Sequence, residues 1–223
     1  IVDESDVVFL SVLPQQAASV VADLNFDADR HLLVSLVATA GLAELREGSG
    51  LPKEKVLKMI CLPSVARHES VCLITPDPKD FPPLAELAPM FNAIGGYVAT
   101  PDEKNFSGLM ISTNLMGPVY GIMRQNREWL RNTIGLSKLE ASQLISKMYL
   151  GMALDANRHL DNPDRIDELI AEQTPGGLNE QALENLKRLG TLDHFDRVNT
   201  ATRSRIDGES DGWIDPEKHI SHL

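Results

Sequence analysis

The chain has 223 residues, of which 43% are hydrophobic and 24% are charged, and its formal net charge is −11 at pH 7. This length is enough for one large or two modest domains with hydrophobic cores, and the composition is that of a soluble globular protein. The acidic charge argues against a nucleic-acid backbone binder, because such proteins cluster lysine and arginine on one face. A nucleotide cofactor stays possible, since backbone N–H groups at a helix N-terminus hold a pyrophosphate without a cation.

Apolar runs and helical periodicity alternate along the first hundred residues. Runs at 7–12, 31–37, 56–62, 71–75 and 97–99 predict strands, and the first of them is typical of a buried parallel strand. Segments at 15–24, 40–47 and 82–94 have helical spacing, and Gly95-Gly96 closes the last one. This alternation predicts an α/β sheet with helices packed on its faces.

After Ala99 the sequence predicts helices only. The sequence Thr100-Pro101-Asp102-Glu103 has the pattern of a capping box, which opens a long helix to about residue 134 with a break or kink at Gly117-Pro118. A second capping box, Ser137-Lys138-Leu139-Glu140, opens a helix to about residue 160. Shorter helices follow at about 162–173, 179–189 and 191–206. We therefore predict an α/β domain at 1–99, a helical domain at 100–206 and a polar tail at 207–223.

The two cysteines, Cys61 and Cys72, each lie inside an apolar run. A disulfide scaffold uses more cysteines and a zinc site pairs them at closer spacing, so the sequence favours reduced core residues of a cytoplasmic protein. No spacing typical of metal ligands is present, and no metal is expected. No apolar run approaches the roughly 20 residues of a membrane span, and no signal peptide is visible.

One local pattern, Thr174-Pro175-Gly176-Gly177-Leu178-Asn179, is typical of a binding loop. Its two glycines let a ligand approach the backbone, and the helix that follows directs free N–H groups and its positive dipole end at the loop. A carboxylate would suit this site, with the Thr174 hydroxyl and the Asn179 amide as donors. The alternative, which spacing alone favours, is an inter-helix turn with Thr174 as N-cap and Pro175 at the first helical position.

Four segments of the chain resemble pyrroline-5-carboxylate reductases. The segment SDVVFLSVLPQ at 5–15 is similar to that family's "ADVVFLAVKPQ", and LVSLVA at 33–38 resembles its "VSIAAG" strand. The segment GPVY at 117–120 matches the end of "GSGPAY", and TPGG at 174–177 stands where the family has "SPGG". Each motif is weak alone, but the four occur in the family's order and at about its separations, from residue 5 to about 206.

The resemblance implies a fold: a Rossmann-type domain, incomplete at its N-terminus, followed by an all-α dimerisation domain that interlocks two subunits. Each active site would then use residues of both chains. The family's glycine-rich pyrophosphate loop has no counterpart here, and family architecture would place about 60 residues, or two βα units, ahead of Ile1. A parallel sheet without its central strand would expose apolar surface.

The resemblance also implies a function, namely an NAD(P)H-dependent reductase that transfers hydride to a C=N bond of a small, carboxylate-bearing, imino-acid-like substrate, as in proline biosynthesis. The cofactor would be NADP or NAD, and the protein a homodimer or higher homo-oligomer; the apolar residues of the helix at 109–123 also favour this association. The cofactor-binding residues would be Ser11, Val12, Leu13, Pro14, Leu36, Val37 and Ala38. The substrate carboxylate would lie on Thr174, Gly176 and Gly177, and Asn179, with Thr174, would be catalytic, near the reacting nitrogen.

Departures from the family's motifs concern the substrate more than the fold. Leu13 replaces the lysine of "AVKP", Ile60-Cys61-Leu62-Pro63-Ser64 replaces "MPNTP", and Met116 replaces a serine of "GSGPAY". Asn179 replaces the threonine that in the family donates to the substrate's ring nitrogen, although an amide also donates a hydrogen bond. Two alternatives therefore stand: a related β-hydroxyacid or F420-type NADP oxidoreductase with another substrate, and a non-catalytic helical dimerisation protein.

Overall fold

The computed structural model describes residues 2–215, and the chain divides into two compact units between Thr113 and Asn114. The first unit contains a sheet with helices, and the second contains only helices among its described residues. This confirms the predicted fold class, an α/β domain followed by a helical region. The predicted tail at 207–223 extends beyond the described residues.

Five strands form one sheet within residues 2–215, in the spatial order β1-β2-β3-β4-β5. Strands β1, β2 and β3 are parallel, β4 is antiparallel to β3, and β5 is parallel to β4. Every strand lies inside a run that the sequence predicts as a strand. The strands are β1 (Val7–Leu10), β2 (Leu32–Ser35), β3 (Val56–Ile60), β4 (Cys72–Thr75) and β5 (Tyr97–Ala99).

The two faces of the sheet carry separate hydrophobic clusters, because successive strand residues point to opposite faces. In β2, Leu33 packs in the cluster covered by α1 (Ala17–Asp23) and α2 (Leu42–Ser49). Its neighbours Leu32 and Val34 pack in the cluster covered by α3 (Pro82–Ala85) and α4 (Ala88–Ala93). The predicted helix at 82–94 is thus two short helices.

Strand β1 is only partly buried, so the prediction of a buried strand is wrong for it. All four residues of β2 are buried, whereas in β1 only Val8 and Leu10 are buried and Phe9 is 42% exposed. Strand β1 stands at the end of the spatial order, with β2 as its one neighbour among the described strands. Packing therefore covers one face of β1 well and the other poorly.

The helix after β5 belongs with the sheet. Helix α5 (Glu103–Ser112) contacts β4, which places the end of the first unit after α5 rather than near residue 100. Its N-cap is Asp102, whose carboxylate accepts the Asn105 N–H at 2.8 Å, so the predicted cap at Thr100 is wrong. The reason is that the Thr100 N–H still donates to the Ile74 carbonyl at 3.0 Å, which keeps Thr100 in the sheet ladder.

The predicted break in the long helix is confirmed. A 3-10 turn at Thr113–Leu115 separates α5 from α6 (Met116–Trp129). Pro118 has no N–H to donate to the carbonyl of residue 114, so the regular α-helical pattern fails ahead of the proline. A π-helical turn at Leu130–Ile134 then ends at Gly135, whose φ is 83°.

Four more helices complete the described part of the second unit: α7 (Lys138–Asn157), α8 (Arg165–Ala171), α9 (Leu178–Arg188) and α10 (Thr191–Ile206). The capping box predicted at the start of α7 is confirmed: the Ser137 hydroxyl accepts the Glu140 N–H, and the Glu140 carboxylate accepts the Ser137 N–H. No helix within residues 2–215 is long and apolar enough to cross a lipid bilayer.

The second unit has almost no buried core in a single chain. Among its described residues only Ala141 and Ile145, both in α7, are buried. Leu186 in α9 is 42% exposed. Helix α7 has a further row of apolar side chains that are about half exposed: Leu144, Met148, Leu150, Met152 and Leu154.

Candidate functional site

The predicted cofactor-binding residues lie together at one edge of the sheet. Because β1 and β2 are parallel, the segments that follow them leave the sheet at the same edge. The Leu36 N–H donates to the Leu10 carbonyl at 2.9 Å, which joins the two segments directly. The residues brought together are Ser11, Val12, Leu13 and Pro14 after β1, and Leu36, Val37 and Ala38 after β2.

This edge is open to a ligand. Ser11, Leu13 and Pro14 are exposed, and so is Ala38, whose side chain is only a methyl group. The turn after β2 is anchored in the core, because Val37 is buried and its N–H donates to the buried Ser35 hydroxyl at 3.2 Å. The edge therefore has exposed residues that a ligand can reach, anchored to the core by buried Val37 and Ser35.

An ion pair between a buried lysine and a half-buried glutamate supports the same segment. The ammonium group of Lys58, in β3, donates to the Ala38 carbonyl at 3.1 Å and to the Glu103 carboxylate at 3.0 Å. That carboxylate also accepts the Leu42 N–H at the start of α2, at 3.0 Å. The Lys58 ammonium lies 5.5 Å from the centre of the Phe106 ring. One lysine and one glutamate thus connect β3 and α5 with the middle of the β2–α2 loop and with the start of α2.

Sequence reasoning missed Lys58, although a signal was present. It is the single charge in the run Val56-Leu57-Lys58-Met59-Ile60 and is 5% exposed in the structure. Lysine is almost never fully buried without a partner, so a lysine in a buried strand indicates a paired, positioned charge. Its partner, Glu103, was assigned only to helix capping.

A cavity of about 260 Å³ lies where β3 ends and β4 begins. Its walls include the segment that stands for the family's "MPNTP" and the C-terminal end of α5. Ser64, Ser70, Ser112 and Thr113 contribute hydroxyl groups, and Glu69 contributes a carboxylate. Because β3 is parallel to β2, this cavity lies at the same sheet edge as the residues after β1 and β2.

The glycine loop in the second unit has a geometry that neither sequence interpretation anticipates. Gly177 is the N-cap of α9, so the alternative with Thr174 as N-cap and Pro175 at the first helical position is wrong. The Gly177 N–H donates to the Thr174 carbonyl at 2.8 Å, which forms a turn over residues 174–177, and Gly176 has a φ of 72°. Thr174 and Asn179 are both exposed beside this turn.

The N–H of Gly176 is already occupied by a carboxylate of the chain itself. It donates to the Glu180 carboxylate in α9 at 2.6 Å. Both residues line a cavity of about 440 Å³, together with Gly177, Glu184 and Arg188. This N–H is therefore satisfied within the chain, and a substrate anion at the loop would have to displace Glu180 from it.

The predicted site residues fall into two groups. The cofactor group lies in the first unit, and Thr174, Gly176, Gly177 and Asn179 lie in the second. Within residues 2–215, no three histidine, cysteine, aspartate or glutamate side chains come together in a way that could hold a metal ion.

Comparison with known proteins gives a similarity of fold. No family model matches the sequence, and no curated protein sequence is similar to it. Among solved structures, the pyrroline-5-carboxylate reductase of Coxiella burnetii superposes with a TM-score of 0.73 at 22% identity, over 93% of this chain and 77% of that one. The enzyme of Streptococcus pyogenes gives 0.71 at 20%, over 93% and 78%. The pyrroline carboxylate reductase of Plasmodium falciparum, solved with NADP bound, gives 0.70 at 18%, over 92% and 78%.

These superpositions establish a shared fold that covers both units of the chain. Identity at this level does not carry the substrate or the catalytic residues from one protein to the other. The activity therefore has to be argued from the site.

Proposed function

We propose that the chain belongs to an NAD(P)H-dependent reductase that transfers hydride to a C=N bond of a small substrate. The observation that supports this most directly is the joining of the segments after β1 and β2 at one open sheet edge, through the Leu36–Leu10 hydrogen bond. Ligands of α/β folds bind outside the carboxyl ends of the strands. One structure with the same fold was solved with NADP bound.

The residues at this edge fit a nicotinamide cofactor. The exposed residues Ser11 and Ala38 leave the backbone accessible, and the Lys58 ammonium is engaged by the Ala38 carbonyl and the Glu103 carboxylate. The nicotinamide would supply the hydride. The chain's own residues would position the ring: Lys58 and Glu103 hold the loop of Ala38 in place, and buried Val37 anchors it in the core.

The substrate end of the proposal rests on the loop of Gly176. Its N–H binds a carboxylate in the structure, that of Glu180, which supports a carboxylate-bearing substrate such as a cyclic imino acid. Thr174 and Asn179 are exposed and free to approach a ligand. In this proposal Asn179 donates to the reacting nitrogen and Thr174 to the carboxylate.

The exposed apolar helices support a homodimer formed through residues 100–206. A unit with two buried residues among those that the structure describes has little core of its own, and its exposed apolar side chains are of the kind that a second copy covers. The same association would complete the substrate site in a protein of this type.

Cofactor binding at this edge is tested by introducing a negative charge after β2 and, as a control, before β2 in the full-length protein. Ala38→Asp puts a carboxylate at the open edge, where it would repel the cofactor's phosphates and crowd the ring. We expect the Kd for NADPH and NADH, measured by fluorescence titration, to rise at least about tenfold. The control is Ala28→Asp, which makes the same change at an exposed position ahead of β2, at the opposite edge, and should leave both Kd values unchanged.

Equal effects of the two substitutions would show that the edge after β2 is not the cofactor site. Failure of the unaltered protein to bind either nucleotide would contradict the reductase and favour a non-catalytic dimerisation protein.

A further inference from the structure

Cys61 and Cys72 face each other across the antiparallel pair of β3 and β4. The register runs Lys58↔Thr75, Met59↔Ile74, Ile60↔Leu73. The next pair in this register, one residue beyond the last ladder pair, is Cys61 and Cys72. Directly opposite residues of an antiparallel pair point to the same face of the sheet. Both thiols pack against the same hydrophobic cluster, which agrees with this placement.

The hydrogen bonds of β4 show which type of pair this is. The Cys72 N–H donates to the Gly96 carbonyl at 2.9 Å, and the Ile74 carbonyl accepts the Thr100 N–H at 3.0 Å, so both residues direct their backbone groups at β5 and its flanks. Because these groups alternate along a strand, Leu73 and Thr75 bond to β3 instead. Cys61 and Cys72 are therefore a non-hydrogen-bonded pair.

That geometry matches a disulfide. In a non-hydrogen-bonded pair the Cα atoms are about 4.5 Å apart and the side chains lie closer than in a hydrogen-bonded pair. A disulfide requires Cα atoms about 4.4–6.8 Å apart and Cβ atoms about 3.5–4.5 Å apart. The strand pairing thus places the two sulfur atoms at a separation that a bond can close without moving the backbone far.

The thiols differ in access. Cys61 is partly exposed, whereas Cys72 is buried. Burial raises the pKa of both thiols, and for Cys72 the neighbouring Cys61 adds to the effect of burial, so that its pKa reaches about 11. Cys61 is therefore the thiol that an oxidant reaches, and Cys72 is the one that completes the bond.

We infer that Cys61 and Cys72 form a reversible dithiol–disulfide pair that joins the ends of β3 and β4 beside the 260 Å³ cavity. The oxidant is a small disulfide of the glutathione type. The Cys61 thiolate attacks it and releases one thiol, and the Cys72 thiolate then attacks the mixed disulfide and releases the second. Two protein thiols are oxidised to one disulfide, one small disulfide is reduced to two thiols, and their protons come from the two cysteines. This inference is independent of the proposed reductase activity.

The test is the redox equilibrium of the unaltered chain in mixtures of reduced and oxidised glutathione, read by intact mass after acid quenching. In native buffer we expect a product that is two hydrogen atoms lighter, within one chain. Its equilibrium constant should be at least about tenfold larger than in concentrated guanidinium chloride, because folding already brings the sulfur atoms together. The rate should rise with pH, since the thiolate is the attacking species.

Single substitutions separate the two roles. Cys72→Ser should stop at a stable mixed disulfide on Cys61, and Cys61→Ser should stay unreacted on the same time scale because Cys72 is buried. The matched geometric control carries both of these substitutions together with Ile60→Cys and Leu73→Cys, which moves the cysteines to the adjacent hydrogen-bonded pair, where closure should be slower.

Three outcomes would overturn the inference: a disulfide no more favoured in the folded chain than in denaturant, a mixed disulfide as the end product of the unaltered protein, or a bond between two chains.

Discussion

The carboxylate of Glu180 lies 2.6 Å from the Gly176 nitrogen, in the place that the sequence analysis gives to the substrate's own carboxylate. Two negative groups cannot share one N–H donor without repulsion. Glu180 therefore competes with an anionic substrate for the loop, and its removal is the sharpest probe of that loop. A blocking valine at Gly176 is a poorer probe, because a φ of 72° strains a β-branched residue whether or not a ligand binds.

We expect Glu180→Gln to lower the KM for a carboxylate-bearing imino acid by about three- to tenfold, with kcat little changed, because a neutral amide neither repels the anion nor holds the N–H as strongly. The measurement is steady-state kinetics of the full-length protein with pyrroline-5-carboxylate. Glu184→Gln is the matched control: Glu184 is one turn further along α9, in the same cavity, and pairs with Lys187 at 2.7 Å. If both substitutions change the KM alike, only the general charge of the helix matters and Gly176 is not the anion site.

At this scale the motifs propose which segments form the site, and the role of each residue in them stays a prediction. The glycine loop and the segments after β1 and β2 were identified from motifs. Lys58 was missed because its contacts to Ala38 and Glu103 are distant along the chain and depend on the tertiary fold. Glu180 was missed although it lies only four residues after Gly176, because its carboxylate was not considered as a partner for the loop. Lys58 reaches Ala38 only because β2 and β3 are neighbours in the sheet.

At the scale of the elements, the capping box predicted at Ser137 is confirmed and the one predicted at Thr100 is wrong, for a physical reason. Ser137 lies two residues after the left-handed Gly135, and its N–H donates to the Glu140 carboxylate and to no strand, so it caps α7 as predicted. Thr100 had the same local pattern, but its N–H is committed to the Ile74 carbonyl, and the cap moved to Asp102. Tertiary hydrogen bonds thus override a local signal at the end of a strand. The antiparallel direction of β4 is a similar case, because an apolar run carries no information on strand direction.

Removal of the confirmed cap should be measurable. We expect Ser137→Ala to lower the free energy of unfolding by about 1 kcal/mol, because it leaves an N-terminal N–H of α7 without its partner. Urea unfolding at neutral pH measures this. Ser146→Ala, at an exposed position inside the same helix, is the control and should be neutral or slightly stabilising. An equal loss in both variants would contradict a specific role for the cap.

The same cap predicts a dependence on pH. The Ser137 hydroxyl, followed by the Ser137 backbone N–H, lowers the pKa of Glu140 below its ordinary value. A carboxyl group with a lowered pKa in the folded state contributes stability above its unfolded pKa of about 4.3, and that contribution is lost as the pH falls through the folded pKa. The difference in stability between the unaltered protein and Ser137→Ala should therefore shrink as the pH falls below about 4.3. A difference that stays constant down to pH 3 would show that Glu140 is not part of the cap in solution.

At the scale of the whole molecule, the main feature is the exposed apolar surface of the second unit. Its apolar periodicity predicts buried helix faces, yet Met148 and Met152 of α7 are 49% and 53% exposed in the single chain. The sequence thus predicted the helices, and their apolar side chains stay about half exposed within the described residues of one chain. In the proposed homodimer, the same apolar side chains of a second copy would cover them.

We expect the protein to be a dimer by light scattering across micromolar concentrations, and Met148→Glu with Met152→Glu to convert it to monomers. Both positions lie on one face of α7, so the two charges would be buried together at the interface, which is strongly unfavourable. The control is Val98→Glu, which places the same charge at an exposed apolar position of β5 and should leave the dimer intact. A monomeric unaltered protein would contradict the proposed association outright.

The antiparallel pairing of β3 with β4 has a consequence for the order in which the first unit folds. Its paired residues, such as Ile60 and Leu73, are closer along the chain than those of the other ladders in the described sheet. Closing a short loop costs less chain entropy than closing a long one, and local pairings form faster. The β3–β4 pair is therefore the natural nucleus of this sheet, and β2, β1 and β5 would join it later through their longer connections.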